Sequence, residues 1–187
     1  MADIARDAPV STRDLILDAA ERIVEREGAR RLTIDAVVKE SGYSKGGVLY
    51  NFPSKQALIE GMVRRMIDSA RADFDKTREE ALASGEPLMP ALVKESFCRR
   101  DKSEQLSMGL LAAVAEQPEL LDPVRDFLDT LRAEFLANTP DPAKARLAFY
   151  ALDGIHFNQM FGLSVLNDEE KADMEAAILA LVSEPRS

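Results

Sequence analysis

The stretch that governs the fold runs from residue 33 to residue 63 and reads TIDAVVKESGYSKGGVLYNFPSKQALIEGMV. Thr33, Ser44 and Ser54 are each suited to cap a helix, because their side chains accept hydrogen bonds from the free amides of a first turn. Gly42 stands between the first two caps and allows a sharp turn, since it has no Cβ to clash. Two short helices joined by such a turn are typical of a helix-turn-helix unit.

The two faces of this unit differ in composition. Apolar side chains predict a small core that fixes the angle between the helices: Val37, Val38, Val48 and Phe52. The outward face of the second helix presents Lys45, Gly46, Gly47 and Asn51. No acidic residue lies between Glu40 and Glu60, so we expect this face to carry no carboxylate that repels phosphate. A helix with such a face can enter the major groove of DNA.

The flanking sequence predicts helices throughout. One helix is predicted over residues 12–27, and a longer helix begins at Ser54. Further helices are predicted at about 88–100, 103–116, 118–137, 142–166 and 168–183. No run of residues alternates in the way that strands do, so the fold class is all-α.

The composition argues against several classes of protein. The single cysteine, Cys98, excludes a disulfide within the chain. The single histidine, His156, excludes a two-histidine metal site, and most enzyme mechanisms are disfavoured. The first ten residues lack the apolar core of a signal peptide, and polar residues interrupt the least charged stretch, residues 147–167. We therefore expect a cytoplasmic protein that does not cross a membrane.

The net charge of −9 by itself argues against a polyanionic partner. However, residues 1–65 hold eleven lysines and arginines against ten acidic residues, so the negative charge is concentrated in residues 66–187. A local surface can still meet phosphate, because charges beyond a Debye length of about 8 Å are largely screened.

The segment from Thr12 to about Met66 resembles the N-terminal DNA-binding domain of the TetR family of bacterial transcriptional repressors. The shared motif includes Thr33, Gly42, the sequence Ser-Lys-Gly-Gly from residue 44 and the sequence Tyr-x-Phe-Pro-Ser-Lys from residue 50. The rest of the chain is similar to the family only in the number and length of its helices.

The resemblance implies a ligand-responsive repressor that binds a palindromic operator as a homodimer and is released by a small-molecule effector. It implies a helix-turn-helix DNA-binding domain over residues 1–53 and a helical ligand-binding and dimerisation domain over residues 54–187. The helix that begins at Ser54 connects the two domains. In such dimers the last two long helices pair with their mates, and no cofactor, metal ligand or catalytic residue is expected.

The residues implied to contact DNA are Thr33, Ser44, Lys45, Gly46, Gly47, Tyr50, Asn51 and Lys55. Thr33 and Lys55 would hold backbone phosphates at helix N-termini. Tyr50 taken by itself also fits a core position. Many members carry an aromatic residue where Leu49 stands and a histidine where Asn51 stands. One phosphate contact is therefore lost or moves to Tyr50, while Asn51 could bond an adenine edge or a phosphate.

Methionine and phenylalanine side chains in the second domain predict a cavity for a largely apolar effector, with flexible and polarisable side chains in its wall. The candidate lining residues are Phe97, Met108, Leu111, Phe127, His156 and Met160. Ordinary core packing is the alternative for most of them. His156 lies three residues after Asp153, so both face the same side of a helix. We expect Asp153 to bond His156, Asn158 or a partner subunit.

Other functions fit parts of the sequence. The same DNA-binding unit would serve a transcriptional activator or a nucleoid-associated factor. In a different class, the chain would be a helical enzyme or small-molecule binding protein whose N-terminal unit contacts another protein instead of DNA.

Overall fold

The computed structural model describes residues 11–98, 110, 117–160, 163 and 166–183, and the side chains of Cys98 and Met160 lie outside that description. All regular elements within these ranges are helical, which confirms the predicted all-α class. The α-helices are α1 (Thr12–Glu27), α2 (Ile34–Ser41), α3 (Lys45–Asn51), α4 (Lys55–Ser84), α5 (Leu88–Cys98), α6 (Asp122–Asn138), α7 (Pro142–Met160) and α8 (Asp168–Ser183). Short 3-10 helices form at Ala29–Arg31 and Pro118–Leu121.

Four helices begin where the sequence provides a capping hydroxyl. In each case the hydroxyl oxygen accepts a hydrogen bond of 3.1 Å from the amide three residues further on: Ser11 for α1, Thr33 for α2, Ser44 for α3 and Ser54 for α4. Each bond satisfies one of the amides that a first helical turn leaves free. The predicted helix starts in residues 33–63 are therefore confirmed.

Two predicted helices have different bounds in the structure. The helix predicted over residues 118–137 begins as a 3-10 turn, because Pro123 has no amide hydrogen for an α-helical bond to residue 119. The helix predicted over residues 142–166 ends at Met160. There the carbonyl of Asn158 accepts a bond of 2.8 Å from the amide of Leu163, which is a terminating turn. The helix predicted over residues 103–116 lies, except for Leu110, outside the described residues.

The first apolar core lies between α1, α2, α3 and the first turns of α4. Its fully buried side chains include Ile16, Leu17, Val37, Val48, Phe52, Leu58 and Met62. Val38 is partly buried against them, so the predicted core of the helix-turn-helix unit is confirmed. Leu120, from the 3-10 helix that precedes α6, also packs into this core.

The second apolar core lies between α4 and the helices α5 to α8. Its buried residues include Ile67, Phe74, Leu92, Phe127, Phe135, Phe149 and Ile178. The single 30-residue helix α4 therefore contributes to both cores, with Leu58 and Met62 in the first and Ile67 and Phe74 in the second. The predicted domain boundary between residues 53 and 54 stays a prediction.

Across the described ranges, none of the helices is both long enough and apolar enough to cross a membrane. The same ranges contain no cluster of three or more histidine, cysteine, aspartate or glutamate residues placed to hold a metal ion.

Helix α4 packs closely against the end of α3 at Gly61. A Cβ added to Gly61 would lie 2.9 Å from a ring carbon of Phe52 and 3.0 Å from a methyl carbon of Leu17. Both neighbours are fully buried, so neither can move aside into solvent. Only glycine fits this position without a shift of the surrounding core.

We expect Gly61→Ala to lower the free energy of unfolding by about 1–3 kcal/mol, because it overpacks a filled core. Gly46→Ala is the matched control, since a Cβ added there also meets nothing within 4 Å and alanine favours the helix. Denaturant unfolding followed by circular dichroism measures both changes. Equal stability of the two variants would contradict the close packing at Gly61.

Candidate nucleic-acid interface and effector cavity

The turn between α2 and α3 has the geometry that the sequence predicts. Gly42 adopts the left-handed conformation, with φ 75° and ψ 1°, and its amide donates a 3.0 Å bond to the carbonyl of Val38. A residue with a Cβ is strained in this conformation. The turn therefore closes α2 and places α3 against the first core through Val48 and Phe52.

The outer face of α3 is open to solvent. Lys45 and Gly46 are exposed, and Tyr50 is 91% exposed, so the alternative that Tyr50 is a core residue is wrong. Leu49 is 37% exposed beside it. Asn51 is half-buried, and its Nδ2 donates a 2.9 Å hydrogen bond to the carbonyl of Gly47. One of the two polar atoms of the Asn51 amide is thus engaged by the helix itself.

One expectation for this face is wrong. The Nζ atom of Lys45 lies 2.9 Å from a carboxylate oxygen of Asp35, so a negative charge does lie beside α3. Asp35 lies outside the acid-free stretch between Glu40 and Glu60, so the sequence did not indicate this contact. In the structure, the first turn of α2 lies next to the first turn of α3. Both side chains are well exposed, so the ion pair is weak and exchanges readily with other partners.

Several polar groups at the helix starts remain available to a partner. The hydroxyl oxygens of Thr33 and Ser44 accept bonds from their own helices, and both residues are exposed, so each hydroxyl hydrogen can be donated outward. Lys55, at the first position of α4, forms no ion pair with any part of the chain that the structure describes. A Cβ added to Gly46 would meet open space, so another backbone can approach closely there.

Ion pairs hold α1 against its neighbours. The guanidinium of Arg65 on α4 donates to Asp18 at 2.7 Å and to Glu21 at 3.0 Å, and burial raises the pKa of the Glu21 carboxyl. Further contacts come from Arg22 and Arg26 of α1, which donate to Glu40 of α2 and lower its pKa. These contacts fix α2 and α4 relative to α1.

A cavity of about 300 Å³ lies between α4, α5, α6 and α7. Three of the candidate lining residues, Phe97, Phe127 and His156, lie in its wall. Met108 and Leu111 lie outside the described residues, and so does the side chain of Met160. The volume is at the lower end of the range of about 300–1,000 Å³ that is usual for small-molecule pockets.

Sequence reasoning missed most of the cavity wall. The additional lining residues include Met66, Ile67, Phe74, Leu121, Val124, Phe135, Phe149 and Asp153. Met66 continues the apolar stripe of α4 that begins at Leu58 and extends to Phe74. The length of this stripe was the sequence signal that α4 contributes to the cavity wall. Which residues of that stripe face a cavity rather than a filled core depends on the packing of α5 to α7.

Asp153 and His156 both line the cavity, which fits their spacing on one side of a helix. The expectation that Asp153 bonds His156 or Asn158 is wrong, because Asp153 forms no hydrogen bond or ion pair in the described structure. The Asn158 amide donates instead to the carbonyl of Gly154, one turn back. A partner subunit stays open as a prediction.

Comparison with protein families explains this combination of a helix-turn-helix unit and a helical cavity. The model of the bacterial regulatory proteins of the tetR family matches residues 16–62, and the model of the tetracyclin repressor-like C-terminal domain matches residues 86–183. The chain belongs to the TetR family. The resemblance found from the sequence is thereby confirmed, and members of the TetR family are DNA-binding transcription factors rather than enzymes.

Individual relatives of this TetR-family chain agree with the assignment. It is 32% identical over 106 residues to the HTH-type transcriptional regulator LmrA of Bacillus subtilis, a match that covers 54% of this chain and 56% of LmrA. The chain thus spans about half the length of that relative.

Solved structures show the same fold. A TetR-family member from Streptomyces coelicolor has a TM-score of 0.70 and 22% identity, over 93% of this chain and 100% of that chain. The multidrug binding protein EbrR complexed with malachite green has a TM-score of 0.68 and 23% identity, over 93% of this chain and 99% of that chain. At such identities the likeness concerns the fold alone.

The cap of α3 is testable by itself. We expect Ser44→Ala to lower the free energy of unfolding by about 1 kcal/mol, because the amide of Gly47 loses its acceptor, whereas Ser44→Asn keeps a capping oxygen and most of the stability. Thermal unfolding of both variants measures the difference. Equal melting temperatures for alanine and asparagine would show that the cap contributes nothing.

Proposed function

We propose that the chain is a ligand-responsive transcriptional repressor, which binds a palindromic operator as a homodimer and is released by a small-molecule effector. The observation that carries this proposal is the exposed outer face of α3, held by Gly42 and the first core, in a chain whose helix α4 also lines a cavity.

The first step of the proposal is DNA recognition by α3. The residues proposed to contact DNA are Thr33, Ser44, Lys45, Gly46, Gly47, Tyr50, Asn51 and Lys55. Free amides and hydroxyls at the N-termini of α2 and α3 suit backbone phosphates, as does the charge of Lys55. Tyr50 can donate its hydroxyl to a phosphate oxygen, while the small residues Gly46 and Gly47 allow the backbone to come close.

The second step is dimerisation. A single recognition helix reads few base pairs, so we propose two copies with their recognition helices about 34–36 Å apart. Support comes from α7, where Leu147, Tyr150 and Phe157 are each more than half exposed and follow helical spacing along one side. Burying this apolar side against a second copy, together with α8, would remove it from water.

The third step is release by an effector in the cavity, which we propose lies in a regulatory domain over residues 54–187. Met66 and Ile67 of α4 line the cavity. Leu58 and Met62 of the same helix pack in the first core, beneath the helix-turn-helix unit. That unit belongs to the proposed domain over residues 1–53. The similarity in fold to the multidrug binding protein EbrR supports a small-molecule site. A coupling of about 1–3 kcal/mol would weaken operator binding roughly 5- to 150-fold.

A second route supports the coupling. Leu120 packs into the first core, and its neighbour Leu121 lines the cavity. Val124, one turn further on, contacts both cores. A ligand that displaces Leu121 or Val124 would therefore also shift Leu120 or Val124, which pack against the core of the DNA-binding unit.

Selection of bound sequences from a random DNA pool tests the proposal as a whole. Recovery of a palindrome supports sequence-specific binding by a dimer, and its position relative to a promoter separates a repressor from an activator. Recovery of no preferred sequence, or of an unsymmetrical one, would contradict the proposal.

We expect Lys55→Ala to weaken binding to all DNA sequences and to flatten the dependence on salt, because it removes a phosphate contact. Asn51→Ala should instead alter the preference among sequences. Fluorescence anisotropy with a panel of operator variants at several salt concentrations measures both effects. If both variants lose affinity equally for every operator, the proposed division of roles is wrong.

The ion pair at the start of α3 leads to a further expectation. Asp35→Asn should tighten DNA binding severalfold and steepen the salt dependence. In the unmodified chain Lys45 must leave the Asp35 carboxylate to pair with a DNA phosphate, whereas in the variant it has no such partner to leave. Asp129→Asn is the matched control, since it removes the same charge from an exposed ion pair, with Arg132, on α6. An equal gain in affinity for both variants would show that only the net charge matters.

A further inference from the structure

The aromatic wall of the cavity is arranged in pairs. The ring centroids of Phe74 and Phe127 lie 6.0 Å apart, and those of Phe135 and Phe149 lie 5.9 Å apart. The face of a phenyl ring carries partial negative charge and attracts cations. Arg71 already uses this property, because its guanidinium carbon lies 5.9 Å from the centroid of Phe127.

Among the described lining residues, one side chain is acidic. Asp153 on α7 lines the cavity, is half-buried, and forms no hydrogen bond or ion pair with the described part of the chain. The described lining residues include no lysine or arginine, and His156 lies among them one turn from Asp153. The described wall of the cavity therefore combines electron-rich rings with a carboxylate that forms no ion pair there.

This combination discriminates between classes of ligand. A neutral apolar ligand would displace water from Asp153 and leave the carboxylate without a partner, which opposes binding. An anion would meet the carboxylate directly. A metal ion would need more donors than the described residues bring together. An organic cation with aryl groups pairs with the carboxylate and contacts the rings at the same time.

We propose that the cavity selects organic monocations that carry aromatic groups, with Asp153 as the residue that determines this specificity. The inference rests on the proposed function, because it names the class of effector that such a regulator would bind. It also revises the expectation of a largely apolar effector: the body of the ligand is apolar, but its charge is positive.

Two probes of nearly the same shape separate charge from apolar contact. Methyltriphenylphosphonium is a cation, and triphenylphosphine oxide is its neutral counterpart. Isothermal titration calorimetry of the full chain without DNA should give a dissociation constant at least about tenfold lower for the cation, a difference of about 1.4 kcal/mol. No binding of either probe up to its solubility limit, or equal binding of both, overturns the proposal.

The variant Asp153→Asn keeps the shape of the side chain and removes its charge. It should raise the dissociation constant of the cation at least about tenfold and leave that of the oxide within about twofold, so that the preference disappears. Asp129→Asn, on the surface of α6, should change neither value. If Asp153→Asn still prefers the cation over the oxide, the role of this residue is overturned. The cavity's preference for a cation is tested separately, by the two probes on the unmodified chain, so it does not depend on whether the variant folds.

DNA binding is measured separately, so failures of the two proposals are distinguishable. A chain that binds the cation but retains no DNA has the cavity specificity and lacks the proposed regulatory function. A chain that binds a selected operator but does not prefer the cation retains the regulatory function and contradicts the specificity.

Discussion

The packing of α4 against Phe52 and Leu17 at Gly61 is the contact on which the rest of the structure depends. Phe52 directly follows α3, so the direction of the exposed helix is fixed by a ring that lies against α4. The absence of a side chain at Gly61 allows the two to approach this closely. Arg65, one turn further along α4, adds a charged contact to Asp18 and Glu21 of α1.

The same helix links this contact to the cavity. The first turns of α4 pack in the first core and its later turns in the second, and Met66 and Ile67 line the cavity only one turn beyond Met62. The cavity and the first core beneath α3 therefore lie against the same helix.

Much of the helix-turn-helix unit could be predicted from the sequence, because its determinants are local. The hydroxyl of Ser44 caps a helix that begins one residue later, and Gly42 is required by a backbone angle at its own position. The end of α7 at Met160 was missed, since continued apolar residues resemble a continued helix. The Asp35–Lys45 ion pair and most of the cavity wall were missed for another reason. They join residues that are close only after the helices have packed.

The central claim is that two copies of α3 enter successive major grooves on one side of the DNA. Hydroxyl-radical footprinting of a selected operator by the full chain tests it most directly. We expect two protected patches whose centres lie one helical turn, about 34–36 Å, or a multiple of it apart on the same face. A single patch, or two patches on opposite faces of the duplex, would contradict it.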